Sequence, residues 1–70
     1  MSETLNIQVN GETHQVPSGL DVPRLLALLG IRAERVAIER NLELLPRDRW
    51  SATQVASGDR YEIVHFVGGG

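Results

Sequence analysis

The pair Asn10-Gly11 is the feature that most limits the folds open to this chain. Before it, residues 5–9 (Leu-Asn-Ile-Gln-Val) alternate between apolar and polar side chains, which predicts a strand with one buried face. A two-residue hairpin turn of type I′ needs positive φ at both central residues, and Asn-Gly meets that need well. Residues 12–16 are then the returning strand, and Pro17 ends it because proline has no N–H to donate. The chain therefore begins with a β-hairpin, whose polar second strand is expected at a sheet edge.

One helix is predicted after the hairpin. Asp21 can cap the free N–H groups of its first turn, where Pro23 is tolerated. Gly30 is well placed to end the helix, because glycine readily adopts the left-handed conformation found there. Between them, apolar residues recur at spacings of three and four, the pattern of a helix packed on a sheet; this stripe consists of Val22, Leu25, Leu26 and Leu29.

The second half of the chain contains three further strands. Residues 36–40 and 43–45 predict the third and fourth strands, and residues 60–67 predict the last and most apolar one. Between the third and fourth strands, Asn41 turns the chain. Leu42 follows where a type I′ turn favours glycine, so we expect this hairpin to use a longer loop.

The element order ββαβ(β)β indicates an α+β fold of the β-grasp, or ubiquitin-like, class. We expect a mixed sheet of four to five strands, with the last strand central beside the first and the one main helix packed on one face. Seventy residues suffice for one domain, assigned to residues 1–67, and residues 68–70 form a tail. The second face of the sheet is expected to be partly open.

Composition excludes several classes of function. A net charge of −2 argues against a nucleic-acid partner, and the absence of cysteine excludes disulfides and thiolate metal sites. The longest apolar stretch, residues 25–29, is too short to cross a bilayer, and the polar N-terminus does not resemble a signal peptide. We therefore expect a cytoplasmic protein with no membrane or metal partner.

The chain ends in Gly68-Gly69-Gly70, directly after the last predicted strand. Glycine has no Cβ and reaches backbone conformations that other residues avoid, so three in a row form a thin tail that could thread into a partner's active site. A strand would hold that tail at a fixed distance from the folded body. This is the shape of a carrier whose reactive group is its own terminal carboxylate.

Side chains of the last strand divide between two faces. If Tyr61 and Ile63 point toward the helix, Val64 and Phe66 point to the open face and could form a docking surface for partner enzymes. The alternative is that the segment 46–57 covers them. His65 has no evident nucleophile or acid nearby in sequence, and His14 is expected to be solvated on the polar edge strand, so no catalytic residue is assigned.

The loops carry two further interpretations. Residues 46–50 predict an irregular turn with a short helical piece, in which Trp50 covers one end of the core, and residues 57–59 predict a tight turn. Four arginines could steer an acidic partner, or equally belong to a solvated surface of mixed charge; they are Arg40, Arg47, Arg49 and Arg60, interleaved with Glu39, Glu43, Asp48 and Asp59.

Four motifs together resemble the ThiS family, the sulfur carriers of the thiamin pathway. They are V-A-I-E-R-N at residues 36–41, P-R-x-x-W at residues 46–50, Gly-Asp at residues 58–59 and Gly-Gly at residues 69–70. The resemblance covers nearly the whole chain, from about residue 5 to residue 70. It supports the β-grasp fold and implies that the chain is not itself an enzyme.

The resemblance also implies a reaction at the C-terminus. An E1-like activating enzyme would adenylate the Gly70 carboxylate with ATP, and sulfur from a cysteine desulfurase route would convert it to a thiocarboxylate. Thiazole synthase would then use that sulfur. Gly69 is the required neighbour of Gly70, and Gly68 adds a third glycine to the tail. No cofactor is expected to stay bound to the chain.

Other functions fit the same fold and tail. The chain could be the small subunit of molybdopterin synthase or a sulfur carrier for another pathway. From a different class, it could be a ubiquitin-like protein modifier joined to lysines through Gly70, or a plain interaction module with an inert tail.

Overall fold

A five-stranded mixed sheet with one helix on one face makes up residues 3–66, the part of the chain that the computed structural model describes. This is the predicted β-grasp arrangement. The strands are β1 (Thr4–Val9), β2 (Glu12–Pro17), β3 (Val36–Arg40), β4 (Glu43–Leu45) and β5 (Arg60–His65). The helix α1 spans Val22–Leu28, and two short 3-10 helices span Ala33–Arg35 and Arg47–Ala52.

The strand order is β2-β1-β5-β3-β4, so β5 lies at the centre of the sheet beside β1, as predicted. β5 is parallel to β1 and antiparallel to β3, while both hairpins are antiparallel. β2 is an edge strand, also as predicted. β5 ends at His65, earlier than the predicted end at Val67, which lies outside the described residues, as does the glycine tail.

Both ends of α1 follow the sequence signals. The Asp21 carboxylate accepts a hydrogen bond from the Arg24 N–H at 2.9 Å. At the other end, Gly30 has φ of +73°, and the Ile31 N–H donates back to the Leu26 carbonyl at 2.9 Å. This pattern closes the helix with a left-handed residue and satisfies carbonyls that would otherwise lack partners.

The core lies between α1 and one face of the sheet. Alternate residues of β1, β3 and β5 supply one side of it, and the helix stripe supplies the other. Trp50 is buried over one end, as predicted, and its indole N–H donates to the Leu45 carbonyl at 3.1 Å. The buried apolar residues are Ile7, Val9, Val16, Val22, Leu25, Leu26, Val36, Ile38, Trp50, Val55, Tyr61 and Ile63. Within residues 3–66, no helix is long and apolar enough to span a bilayer.

The hairpin between β3 and β4 corrects one sequence expectation. Arg40 pairs with Glu43, so the loop contains only Asn41 and Leu42, with φ of +53° and +71°. The turn forms in spite of Leu42 because Asn41 is anchored from outside the hairpin. Its backbone N–H donates to the Arg60 carbonyl at 2.8 Å, and its side-chain oxygen accepts from the Arg60 N–H at 2.9 Å.

Candidate functional site

The C-terminal tail follows the central strand β5 in sequence. His65, its last residue, pairs with Val36 at the start of β3. One residue later, the Phe66 N–H donates to the Arg35 carbonyl at 2.8 Å, which ties the base of the tail to the end of a 3-10 helix. The three predicted tail residues Gly68, Gly69 and Gly70 follow outside the described residues.

The open face of the sheet exposes apolar side chains beside the base of the tail. Val64 is 60% exposed and Phe66 is 57% exposed, so the segment 46–57 does not cover them. Their predicted exposure is confirmed, and their role in docking stays a prediction. Leu44 of β4 is 70% exposed on the same face and was not singled out from the sequence. We call Leu44, Val64 and Phe66 the open-face patch.

Phe66 also borders a shallow hollow of about 260 Å³ beside β3 and β4. Leu44, Pro46 and Trp50 contribute to its wall, which is mostly apolar. Because Phe66 and Leu44 belong to both the patch and the hollow, the two form one continuous surface. An apolar side chain of a partner protein could be seated there.

The P-R-x-x-W motif is a structural clamp next to that hollow. The Arg47 guanidinium lies over the Trp50 ring, 4.3 Å from its centroid. It also donates to the Ala33 carbonyl at 2.7 Å and to the Val36 carbonyl at 3.0 Å. One side chain therefore links the segment after β4 to the chain entering β3, and the short helical piece predicted at residues 46–50 is present as the 3-10 helix Arg47–Ala52.

The E-R-N and Gly-Asp motifs meet in one polar network away from the tail. Asp59 is only 4% exposed, and its carboxylate accepts hydrogen bonds from Arg40 at 3.0 Å, from Tyr61 at 2.9 Å and from Asn41 at 3.2 Å. The Ala56 N–H donates to it as well, at 2.9 Å. Arg40 and Asp59 are therefore a partly buried ion pair, which corrects their interpretation as solvated surface charges.

Burial and hydrogen bonds shift the pKa values in this network. Burial alone would raise the pKa of Asp59, but the hydrogen bonds from Ala56, Asn41, Tyr61 and Arg40 outweigh it and lower that pKa. Burial, together with the hydrogen bond to Asp59, raises the pKa of Tyr61 to about 12. The network thus keeps a carboxylate charged and a phenol neutral, and it is distant along β5 from the tail.

The two histidines of the chain lie on different strands, β5 and β2. His65 is exposed, and His14 lies on β2 with its Nε2 3.9 Å from a Glu12 carboxylate oxygen. Over residues 3–66, no three acidic or histidine side chains come together in a way that could hold a metal ion. What the described residues offer is a hydrogen-bonded base for a tail and an exposed apolar surface beside it.

A model of the ThiS family matches residues 3–70. The chain belongs to the ThiS family. The resemblance carried by the four motifs is therefore confirmed. Among solved structures, the chain is similar to the crystal structure of the thiamine biosynthesis protein ThiS from Geobacter metallireducens, with 41% identity and a TM-score of 0.80. That match covers 94% of this chain and all of the other, which confirms the fold over nearly its whole length.

Two curated relatives bear on the role of this ThiS family member. The chain is 41% identical to the sulfur carrier protein ThiS of Bacillus subtilis over 46 residues, and this match covers 66% of this chain and 70% of that protein. It is also 39% identical over 66 residues to a thiazole synthase of Paramagnetospirillum magneticum, covering 94% of this chain. The chain spans only a fifth of the length of that thiazole synthase.

Proposed function

We propose that this chain is a sulfur carrier that supplies thiazole synthase in the formation of the thiamin thiazole. The observation that carries the proposal is the thiazole synthase of Paramagnetospirillum magneticum, in which a segment similar to 94% of this chain makes up a fifth of the polypeptide. Joining a carrier to the enzyme that consumes its cargo raises their effective concentration. The same two parts acting as separate chains would need a docking surface.

The proposed chemistry begins with activation of the Gly70 carboxylate. A carboxylate is a poor acyl donor, because its charge is delocalised and oxide is a poor leaving group. An E1-like enzyme would transfer AMP from ATP to one carboxylate oxygen and release pyrophosphate. The activating enzyme would supply the positive charge that stabilises this phosphoryl transfer. The carrier would supply only a tail that reaches the active site of that enzyme.

The second step exchanges oxygen for sulfur. A persulfide or sulfide from a cysteine desulfurase route would attack the acyl carbon, form a carbon–sulfur bond and expel AMP. Where a persulfide is the donor, the product is an acyl disulfide. A second thiol would then attack the sulfur farther from the acyl group, release the thiocarboxylate and leave a disulfide between the two thiols. Thiazole synthase would then receive a sulfur nucleophile attached to a protein, so that free sulfide need not be handled. The carrier is thus a co-substrate, not a catalyst.

The described residues support this role in two ways. The tail follows the central strand, and the hydrogen bond from Phe66 to Arg35 fixes where it starts. Val64 and Phe66 are exposed next to that start, which suits a surface that docks while the tail reaches into the partner. We assign these two side chains to partner docking, and Gly68, Gly69 and Gly70 to threading and reaction.

Mass spectrometry of the intact chain tests the proposal. Incubation with the activating enzyme, ATP and a desulfurase should increase its mass by the difference between one sulfur and one oxygen atom, and the product should then support thiazole formation by the synthase. A chain lacking Gly70 should keep the wild-type circular dichroism and melting curve but gain no mass. Gly69→Val should fold normally and react poorly, because a side chain obstructs a narrow channel. A ladder of heavier protein conjugates, without the mass change, would indicate a protein modifier instead.

A further inference from the structure

Two glutamates lie directly opposite each other on the open face. Glu39 of β3 and Glu62 of β5 are paired residues, and both are exposed. Glu39 also pairs with Leu44 of β4, so the row Leu44–Glu39–Glu62 crosses three strands. The neighbouring row, toward the tail, pairs Ala37 with Val64. The acidic pair therefore lies beside Leu44 and borders Val64 on the side away from the tail.

This arrangement is unfavourable for the isolated chain. Like charges directly opposite on neighbouring strands destabilise a sheet. In the part of the chain that the structure describes, the basic groups found within 4.0 Å of a carboxylate are Arg40, near Asp59, and His14, near Glu12. Neither glutamate of the pair has such a partner. Arg60 lies on the same face, two residues before Glu62, but forms no ion pair with it.

We propose that the acidic pair and the open-face patch together bind a segment of thiazole synthase that carries an apolar side chain and, beside it, arginine or lysine. This inference rests on the proposed function and adds the chemistry of the partner surface. The apolar side chain would cover Val64 and Phe66. The basic residues would lie over Glu39 and Glu62. Glu62 precedes Val64 by two positions along β5, so this contact would lie roughly 7 Å further from the tail than Val64.

Charge complementarity selects this occupant. A wholly apolar partner would leave two carboxylates facing each other and partly desolvated, which is costly without compensating charge. An acidic partner would add a third like charge. A basic partner neutralises both carboxylates and removes their repulsion, so binding gains what the free chain lacks. The relative in which a similar segment shares a chain with thiazole synthase makes that enzyme the partner to test.

Calorimetric titration against separately purified thiazole synthase tests the inference. The double variant Glu39→Gln/Glu62→Gln should bind about tenfold more weakly than wild type at about 50 mM salt. The difference should shrink at about 500 mM salt, because screening weakens the charge contacts of the wild-type chain. Glu43→Gln is the matched control: it also removes a negative charge beside Leu44, but its side chain faces the other side of the sheet, and its binding should be unchanged.

Thermal melting of the free chains provides the second readout. The double variant should melt at the same temperature as wild type or higher, since it relieves a repulsion, so weaker binding cannot be ascribed to unfolding. If the double variant kept the wild-type affinity and salt dependence, the proposed role of the acidic pair in binding would be overturned, while that of the open-face patch would stand. A chain that forms and donates its thiocarboxylate without measurable docking would overturn the whole surface. Failure to form the thiocarboxylate would overturn the sulfur-carrier proposal, while the titration would still report on the surface.

Discussion

The side chain of Asn10 binds both backbone polar groups of Ile63. Its Oδ1 accepts from the Ile63 N–H at 2.7 Å, and its Nδ2 donates to the Ile63 carbonyl at 3.2 Å. Asn10 lies in the turn after β1, where the backbone leaves the sheet with φ of +50°. The side-chain amide thus makes the two hydrogen bonds that the backbone of a further strand residue would make, and it extends the pairing of β1 with β5. A residue that a hairpin turn requires also holds the strand that leads to the tail.

Replacing Asn10 by glycine separates these two roles. Glycine adopts positive φ readily, so the turn should persist, but both side-chain bonds to Ile63 are lost. We expect Asn10→Gly to lower the free energy of unfolding by about 1–3 kcal/mol, because two partly buried backbone groups lose their partners. Urea melts followed by circular dichroism would measure it. A variant as stable as wild type would show that water replaces the amide without cost.

Leu42 is the opposite case, a residue that fits its turn poorly. It has φ of +71°, and its side chain is 76% exposed, so it gains little from packing. Leu42→Gly should raise the free energy of unfolding by about 0.5–1 kcal/mol. The variant relieves the strain of a left-handed leucine, and this gain exceeds the loss caused by the greater flexibility of glycine in the unfolded chain. Leu44→Gly is the matched control: the same change within β4 should lower stability, because glycine weakens a strand. Urea melts showing the same sign for both variants would contradict this explanation.

The elements that the sequence predicts are those set by neighbouring residues. The helix of residues 22–29 and the strands at 36–40 and 43–45 follow from periodicity and caps, and each lies within a residue of its observed bounds. The pairs Asn10–Ile63 and Arg40–Asp59 join residues that are 53 and 19 positions apart. Periodicity holds no information about such contacts, so the sequence did not predict the network around Asp59, although Arg40, Asn41 and Asp59 belong to two of the four motifs.

Because the predicted length of the turn after Asn41 was wrong, the sequence did not predict that Leu44 belongs to the open-face patch. The expectation of a longer loop after Asn41 left the register of β4 open, and a three-residue strand cannot fix its own register. With the two-residue loop, Arg40 pairs with Glu43, and Leu44 is placed opposite Glu39 on the open face. The signal was present in Asn41, whose short polar side chain tolerates positive φ, but its anchoring to Arg60 depends on the tertiary fold.

Asp59 should make stability depend on pH below about 4. Its pKa is lowered in the folded state, so the carboxylate favours folding; this contribution is complete above the unfolded pKa of about 3.9 and is lost as pH falls through the folded pKa. Asp59→Asn should cost about 1–3 kcal/mol at neutral pH and flatten this acid dependence. The exposed Asp48→Asn is the control that removes the same charge. Urea melts between about pH 2 and pH 7 would contradict the prediction if both variants kept the wild-type slope.

Neighbouring residues of β5 should separate folding from docking. Ile63 is buried against the helix, and its truncation to alanine should lower the free energy of unfolding by about 2–5 kcal/mol. Val64 faces the other way and Phe66 lies beyond the strand, both more than half exposed, so Val64→Ala and Phe66→Ala should each cost less than about 1 kcal/mol. The two exposed variants should nevertheless bind thiazole synthase more weakly, because they remove the apolar centre of the proposed interface.

Urea melts of all three variants measure the change in stability, and calorimetric titrations against thiazole synthase measure the change in binding. If Phe66→Ala destabilised the fold as much as Ile63→Ala and bound the synthase normally, the place of Phe66 beside the hollow would serve folding and not docking, and docking would have to use another surface.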